Sequence, residues 1–178
     1  MRYKFTILLI IINLSLFSLI FYVDKKAATI GAFERAKRLV FPPGFVEDSD
    51  RLEIEGQKLT HNWVLLRKME QWVLDSPINW PANIYAVTRM LNQLKFLEWE
   101  TRFSVSEIKK TGRSLADYGL EEPKLTLSLS HSGKEKTLKI GESTEIGNRL
   151  YILSPEEEEI YVVTRELLQS ISVDLQDL

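Results

Sequence analysis

The chain has 178 residues, with 23 basic, 25 acidic and two histidine side chains and a formal net charge of −2. That balance argues against a nucleic-acid binder, which needs a basic face to neutralise phosphates. The absence of cysteine excludes lipoprotein processing and leaves a zinc site without its commonest sulfur ligands, while fitting an oxidising or a reducing compartment equally well.

Residues 1–4 form a short basic tail, expected in the cytoplasm, and Phe5 to Val23 follow as 19 uncharged residues interrupted only by Asn13, Ser15 and Ser18 among polar types. At 1.5 Å per helical residue this run spans nearly the ~30 Å hydrocarbon layer of a bilayer. A cleaved secretory signal would have a core of about 7–15 residues and a small-x-small site. Here Asp24-Lys25-Lys26 follow the run, and Ala27-Ala28 with Gly31 match such a site only weakly, so residues 5–23 are expected to be an uncleaved transmembrane anchor. Orientation stays open at this level. Lys25, Lys26, Arg35, Lys37 and Arg38 outnumber Arg2 and Lys4, which favours a cytoplasmic domain. A four-residue tail before an apolar run, however, is the usual form of a signal-anchor, and long domains translocate despite their charge. Asn13, with Ser15 and Ser18, can bond to a neighbouring transmembrane helix at about 1 kcal/mol per contact.

Residues 24–50 read as a juxtamembrane helix and linker. From Ala27 to Val40, Ile30, Phe33 and Val40 loosely share one face while Glu34, Arg35, Lys37 and Arg38 crowd the other. Such a helix either touches anionic headgroups or stands as a solvated stalk. Pro42-Pro43-Gly44 should stop it.

Residues 51–178 are expected to form one α+β domain. Leu52 and Ile54 alternate with Arg51, Glu53 and Glu55, which marks a half-buried strand. Two strands joined tightly near Glu70 follow, over 62–69 and 71–75, and Pro77 ends the group. Asn83 is a fair N-cap for a principal packing helix from Ile84 to Leu97, with Ile84, Val87, Leu91, Leu94 and Leu97 on its apolar stripe. A strand over 96–103 and a helical turn over 106–111 come next. Ser114 then caps Leu115 to Tyr118, and Gly119 ends that turn in the left-handed conformation. Beyond Pro123, Leu125, Leu127 and Leu129 alternate with Thr126, Ser128 and Ser130; His131 to Lys134 turn the chain, and Lys136 to Ile140 return as a hairpin. Strands over 149–153 and 159–163 and a C-terminal helix from Arg165 to about Ile171 complete a mainly antiparallel sheet, since the connections are too short for parallel crossovers.

Several of these landmarks occur together in a recognisable order. Trp72-Val-Leu-Asp-Ser-Pro77 leads to Pro81-Ala82-Asn83, and Tyr118-Gly119-Leu120-Glu-Glu-Pro123 opens the hairpin that Leu138-Lys-Ile140-Gly141 closes. Leu150-Tyr151 and Ile160-Tyr161-Val162-Val163 follow. In these features, over roughly residues 52–171, the chain resembles the DUF4340 family of bacterial envelope proteins, a domain of unknown function. The resemblance implies a single-pass inner-membrane protein with its domain in the periplasm or otherwise outside the cytoplasm. It further implies an accessory role beside ABC transporters of the gliding-motility type, because genes of the family often lie next to such transporters. It brings no catalytic residue, metal or cofactor. Many relatives carry more than one such module, so this chain is either a minimal member or lacks a second half. Gly119, Pro123 and Gly141 have a structural reading as a left-handed position, a strand entry and a turn after the hairpin, and Tyr118 can bury its ring while bonding its hydroxyl.

Catalytic patterns are generic. His61 and His131 fall in or beside predicted turns, no serine has the setting of a nucleophile elbow, and the segment Gly141 to Gly147 lacks the lysine of a phosphate-binding loop. Glu156 to Glu159 can attract a cation but read better as a solvated turn. Asp117, Glu121 and Glu122 read as helix-end and turn polarity. Trp63, Trp72, Trp80 and Trp99 are the remaining conspicuous group: Trp63 and Trp72 are expected to pack across adjacent strands, and Trp80 and Trp99 to serve as lids on the core, with recognition of a partner, sugar or peptide as the sharper alternative. The expected function is a non-enzymatic, membrane-anchored interaction module accessory to an ABC-type complex, and the alternative is an extracytoplasmic glycan- or peptide-binding domain.

Overall fold

The computed structural model of the chain describes residues 2–59, 61–167 and 171, in two compact units, Met1–Lys37 and Arg38–Leu178. In the first, helix α1 (Arg2–Arg38) runs without a break. Its segment Phe5–Lys26 has a mean hydropathy of 2.5 and no buried residue, so it is long and apolar enough to cross a membrane. The expected separate helix over Ala27–Val40 is therefore a continuation of the apolar one. No glycine or proline lies between Val23 and Gly31 to interrupt it. The helix ends at Arg38, ahead of Pro42, where Leu39 pairs with Glu98 and the Val40 N–H donates to Leu97 O at 2.9 Å.

The second unit is α+β, with a nine-stranded, wholly antiparallel sheet among the described residues. Its strands are β1 (Arg51–Gly56), β2 (Trp63–Lys68), β3 (Gln71–Ser76), β4 (Trp80–Pro81), β5 (Thr101–Ser104), β6 (Leu125–His131), β7 (Lys134–Ser143), β8 (Arg149–Leu153) and β9 (Glu159–Thr164). Their order is β4-β3-β2-β1-β6-β7-β8-β9-β5. Turn chemistry explains the hairpins. Met69 and Glu70 both have positive φ, as do Ser132 and Gly133, which is the backbone a two-residue hairpin loop requires.

Helix α2 (Ile84–Lys95) is capped by Asn83, whose side-chain oxygen accepts from the Tyr85 N–H at 3.0 Å. Its buried face is Ala86, Val87, Met90 and Leu94, turned from the expected stripe: Ile84 is exposed and Leu91 only half-buried. Val87, Met90 and Leu94 of this face join Leu52, Ile54, Leu65, Leu127, Leu138, Ile140, Leu150 and Ile152 in the main core. Val40, Phe41 and Val46 belong to the same core, so residues expected to be linker are part of the domain. The helix stops at Lys95, earlier than the expected Leu97, and the strand expected over 96–103 is confined to Thr101–Ser104. β4 was not expected; it is a two-residue edge strand, a position where Pro81 loses no ladder bond.

A second, smaller core lies on the opposite face at the β8-β9-β5 end. Leu153 and Ile160 meet Val105, Ile108, Tyr118 and Leu120 there. Helix α3 (Val105–Lys110) and the 3-10 turn Leu115–Tyr118 supply the covering residues. In the expected C-terminal helix Glu166, Leu167 and Ile171 are helical, Leu167 and Ile171 are buried, and the rest lies outside the described residues.

Candidate functional site

The second core opens to solvent as a cleft, and local sequence signals build its walls. Ser104 caps α3 by accepting from the Ser106 N–H at 3.1 Å, while its own N–H donates to the Glu107 carboxylate at 3.2 Å. Ser114 repeats the device ten residues on: the Ala116 N–H donates to its hydroxyl at 3.2 Å, and its own N–H donates to Asp117 at 2.7 Å. Each reciprocal pair satisfies two backbone donors that a helix start leaves free. Gly119, at φ +66, ends the 3-10 turn with its N–H donating to Ala116 O at 2.9 Å.

From there the chain lies directly on β7. A Cβ on Gly119 would stand 2.9 Å from the Glu142 nitrogen, and one on Gly141 would stand 2.9 Å from Leu120 Cδ2 and overlap the carbonyl oxygen of Tyr118. The two glycine elements that the sequence places 22 residues apart are thus halves of one contact. Gly141 sits inside β7, beside the irregular register between Ile140 and Ser143, and not in a turn after it. Its missing side chain leaves room for the crossing backbone, a use of glycine that differs from the turn expected of it.

This contact fixes Tyr118. Its ring, only 6% exposed, meets Tyr151 edge-on at 4.9 Å between centroids and Phe103 at 5.4 Å. Its hydroxyl accepts from Arg113 Nη1 at 3.3 Å, so the ring is buried and the oxygen bonded, as expected. That bond also raises the guanidinium above its ordinary value. Two concavities meet at Arg113, Tyr118 and Tyr151. One, of about 790 Å³, is polar and adds Asp117, Glu142, Ser143 and Thr144. The other, of about 520 Å³, is floored by Phe103 and Ile108. Of the carboxylates lining them, Glu107 and Asp117 are helix caps, Glu142 pairs with Lys124, whose hydrogen bond holds its pKa below the ordinary value, and Glu145 stands exposed on the polar wall. Aromatic rings, a guanidinium and hydroxyls in one concave place equip the site for recognition.

Of the other expected residues, Trp72, Leu120 and Ile140 are buried, Pro77 is exposed just after β3, and Pro123 is half-buried at the entry to β6. Trp63 and Trp72 do not pair across their strands; Trp72 faces Arg67 and Trp63 faces Ile54. Trp99 does act as a lid, stacked on Tyr161 at 6.0 Å with the Arg102 guanidinium 4.9 Å from its ring. Trp80 does not: it is 63% exposed on β4, since the edge strand carries it away from the core. Asn13 donates its amide to Leu9 O at 2.9 Å along α1. His131 Nδ1 lies 2.5 Å from Asp48 O, and three of the four clustered glutamates are paired, Glu156 with Lys136, Glu157 with Lys139 and Glu159 with Arg102. Among the described residues no group of three or more histidine, aspartate or glutamate side chains is placed to hold a metal ion. Sequence reasoning missed Arg113 and Phe103 altogether. It included Tyr151 only as a landmark, because nothing local marks a residue whose partners arrive from other strands.

Against known proteins, a family model described as Domain of unknown function (DUF4340) matches residues 72–178. No curated protein and no solved structure matches the chain.

Proposed function

The chain belongs to the DUF4340 family, and from that premise we propose that it is a non-enzymatic interaction module accessory to a gliding-motility-type ABC transporter complex, anchored by α1 in a bacterial inner membrane with its domain in the periplasm. The observation that carries this reading is an unshielded apolar surface at the sheet edge. Ile78, Trp80, Ile84 and Tyr85 run from the loop after β3 across β4 into α2, and Trp80 and Tyr85 are 63% and 76% exposed. Exposed apolar groups gathered around a tryptophan mark protein interfaces. The family resemblance supports the outward orientation.

Purification of the tagged full chain in mild detergent should bring down a transporter subunit. Trp80→Ala should lose that subunit while the protein keeps its thermal midpoint, and Asn13→Leu should insert normally but recover less of it. A clean single-protein preparation in several detergents, or equal recovery by Trp80→Ala, would refute the reading. Protease added to cells with an opened outer envelope should digest residues 39–178; full protection beside a digested control would place the domain in the cytoplasm.

A second reading, an extracytoplasmic glycan- or peptide-binding domain, is favoured by the cleft at Tyr118, which lies apart in sequence from the Trp80 surface and needs no transporter.

A further inference from the structure

We propose that α1 pairs within the membrane with α1 of a second copy of this chain, Asn13 facing Asn13 across a two-fold axis along the membrane normal. This rests on the membrane anchor of the reading above and goes beyond it, because it needs no transporter.

Depth makes Asn13 the critical group. It lies about 12 Å from Phe5 and about 15 Å from Val23, the two ends of the uncharged run, at 1.5 Å per helical residue. Its short side chain cannot reach headgroups from there. One amide N–H donates to Leu9 O at 2.9 Å; the other N–H and the carbonyl oxygen have no partner among the described residues. Hydrocarbon offers them none, so a bond to a neighbouring helix is favourable.

The surface around Asn13 has the shape that a helix fits. A shallow groove of about 520 Å³ is lined by Thr6, Leu9, Ile10, Asn13, Leu14 and Phe17. These residues form two successive holes at spacing i, i+3, i+4 and i+7, one from Thr6 to Asn13 and one from Ile10 to Phe17. Holes of that spacing receive the knobs of a facing helix. Ser15 and Ser18 stand roughly 140–160° round the helix from Asn13, so they do not share the grooved face.

A second copy matches this face in a way that an arbitrary helix does not. Copies of one chain cross in the same direction, and a two-fold axis brings each residue at the interface opposite itself at the same depth. The remaining N–H of each Asn13 then meets the remaining oxygen of the other, and both bonds close. The run from Phe5 to Val23 carries no charge, so nothing on it calls for a partner of opposite sign. A pair of chains also presents two Trp80 surfaces, which accounts for the lower recovery of a transporter subunit expected of Asn13→Leu.

The chain has no cysteine, so single substitutions report the pairing face directly. Full-length chains carrying Ile10→Cys, Phe17→Cys, Ile11→Cys or Ser18→Cys are purified, reconstituted in phosphatidylcholine vesicles and oxidised with copper phenanthroline. Ile10→Cys and Phe17→Cys should form disulfide-linked dimers at least about fivefold faster than Ile11→Cys and Ser18→Cys, whose positions on the far side keep the two sulfurs apart. Adding Asn13→Leu to Ile10→Cys should lower the dimer association constant about tenfold, read by diluting the vesicles with lipid. Asn13→Gln keeps the amide and should keep most of the dimer. Equal rates at all four positions, no dimer, or a dimer indifferent to Asn13→Leu overturns the proposal. Cross-linking in cell membranes but not in vesicles overturns it as well, and assigns Asn13 to the helix of another protein. Release of the unaltered chain from cell membranes by alkaline carbonate overturns the anchor and the pairing together; retention there with monomers in vesicles overturns the pairing alone.

Discussion

The two ends of the sheet are buried differently. Through β1, β6 and the first half of β7 only one face is covered: Leu125, Leu127 and Leu129 are buried, while Thr126, Ser128 and Ser130 between them stay half-open, and Ser128 bonds across to Thr137 at 2.9 Å. Through β8 and β9 both faces are covered. Leu150 and Ile152 belong to the main core and Leu153 to the second, and Tyr161 and Val163 turn one way while Ile160 turns the other. A sheet covered once needs alternation, and a sheet covered twice needs a continuous apolar run. The comparison shows that the second cover, α3 with the 3-10 turn, is what creates the cleft. The site exists only where the sheet has two cores.

Adjacent residues test this most strongly. Leu127→Ala should cost about 2–5 kcal/mol and its neighbour Ser128→Ala under about 1 kcal/mol, because only one face of β6 is packed. On β8 the adjacent pair Ile152→Ala and Leu153→Ala should both cost about 2–5 kcal/mol. Urea unfolding of the full chain, followed by tryptophan fluorescence, measures all four. A Leu153→Ala protein as stable as Ser128→Ala would mean that the second face is not a packed core.

Tyr161 tests the same strand through its ionisation. It is 9% exposed, and burial first, then the Glu159 carboxylate, pushes its hydroxyl from 10.0 up to about 12. The folded protein therefore holds this proton after the unfolded chain has released it. The resulting stability is intact below pH 10 and is lost as pH rises from 10 through 12, by roughly 2–3 kcal/mol. Tyr161→Phe should remove that part of the alkaline slope. An identical slope in both proteins would show that Tyr161 ionises as freely folded as unfolded.

Gly141→Ala addresses the junction that joins the two covers. The added methyl would overlap the Tyr118 carbonyl oxygen and press on Leu120. We expect a cost of about 1–3 kcal/mol, together with a weakened near-ultraviolet tyrosine signal. Gly31 has nothing within 4 Å of such a methyl, so Gly31→Ala is the control that should keep that signal. Unchanged stability in Gly141→Ala would mean that the 118–120 segment does not rest on β7.

Most of the strands, the hairpins and the Ser114-capped turn were legible in the sequence because each depends on neighbours within a few residues: period-two alternation, a cap, a positive-φ turn; the two-residue β4 and the Ser104 cap were not. The match of the family model confirms the expected membership, and the α+β class was also readable. What the sequence hid is non-local. Gly141 looks like any strand-end glycine until the backbone of Tyr118 lies across it. Val40, Phe41 and Val46 follow a charged helix and flank Pro42-Pro43-Gly44, so they read as linker although the core receives them. The exact face of α2 shifted because a stripe of five apolar residues does not reveal that Ala86 and Met90 are buried. Arg113 carries no pattern at all; only the folded chain brings its guanidinium to the Tyr118 hydroxyl.

The smallest effect concerns Glu142, which flanks the glycine junction on the cleft side. Its pair with Lys124 joins the entry of β6 to β7, and the Lys124 hydrogen bond lowers the carboxyl pKa below its ordinary 4.5. A carboxylate held down in this way adds stability that is present above its unfolded pKa and fades as pH falls through the folded one. Both partners are more than a third exposed, so solvent screens the pair and its worth should not exceed about 1 kcal/mol. Lys124→Met should therefore destabilise the protein slightly at pH 7, and the difference should fade as acid protonates Glu142. Salt should shrink the difference at pH 7, because exposed pairs are screened. A difference that persists undiminished into acid would instead assign the role of Lys124 to the packing of its aliphatic stem at the strand entry.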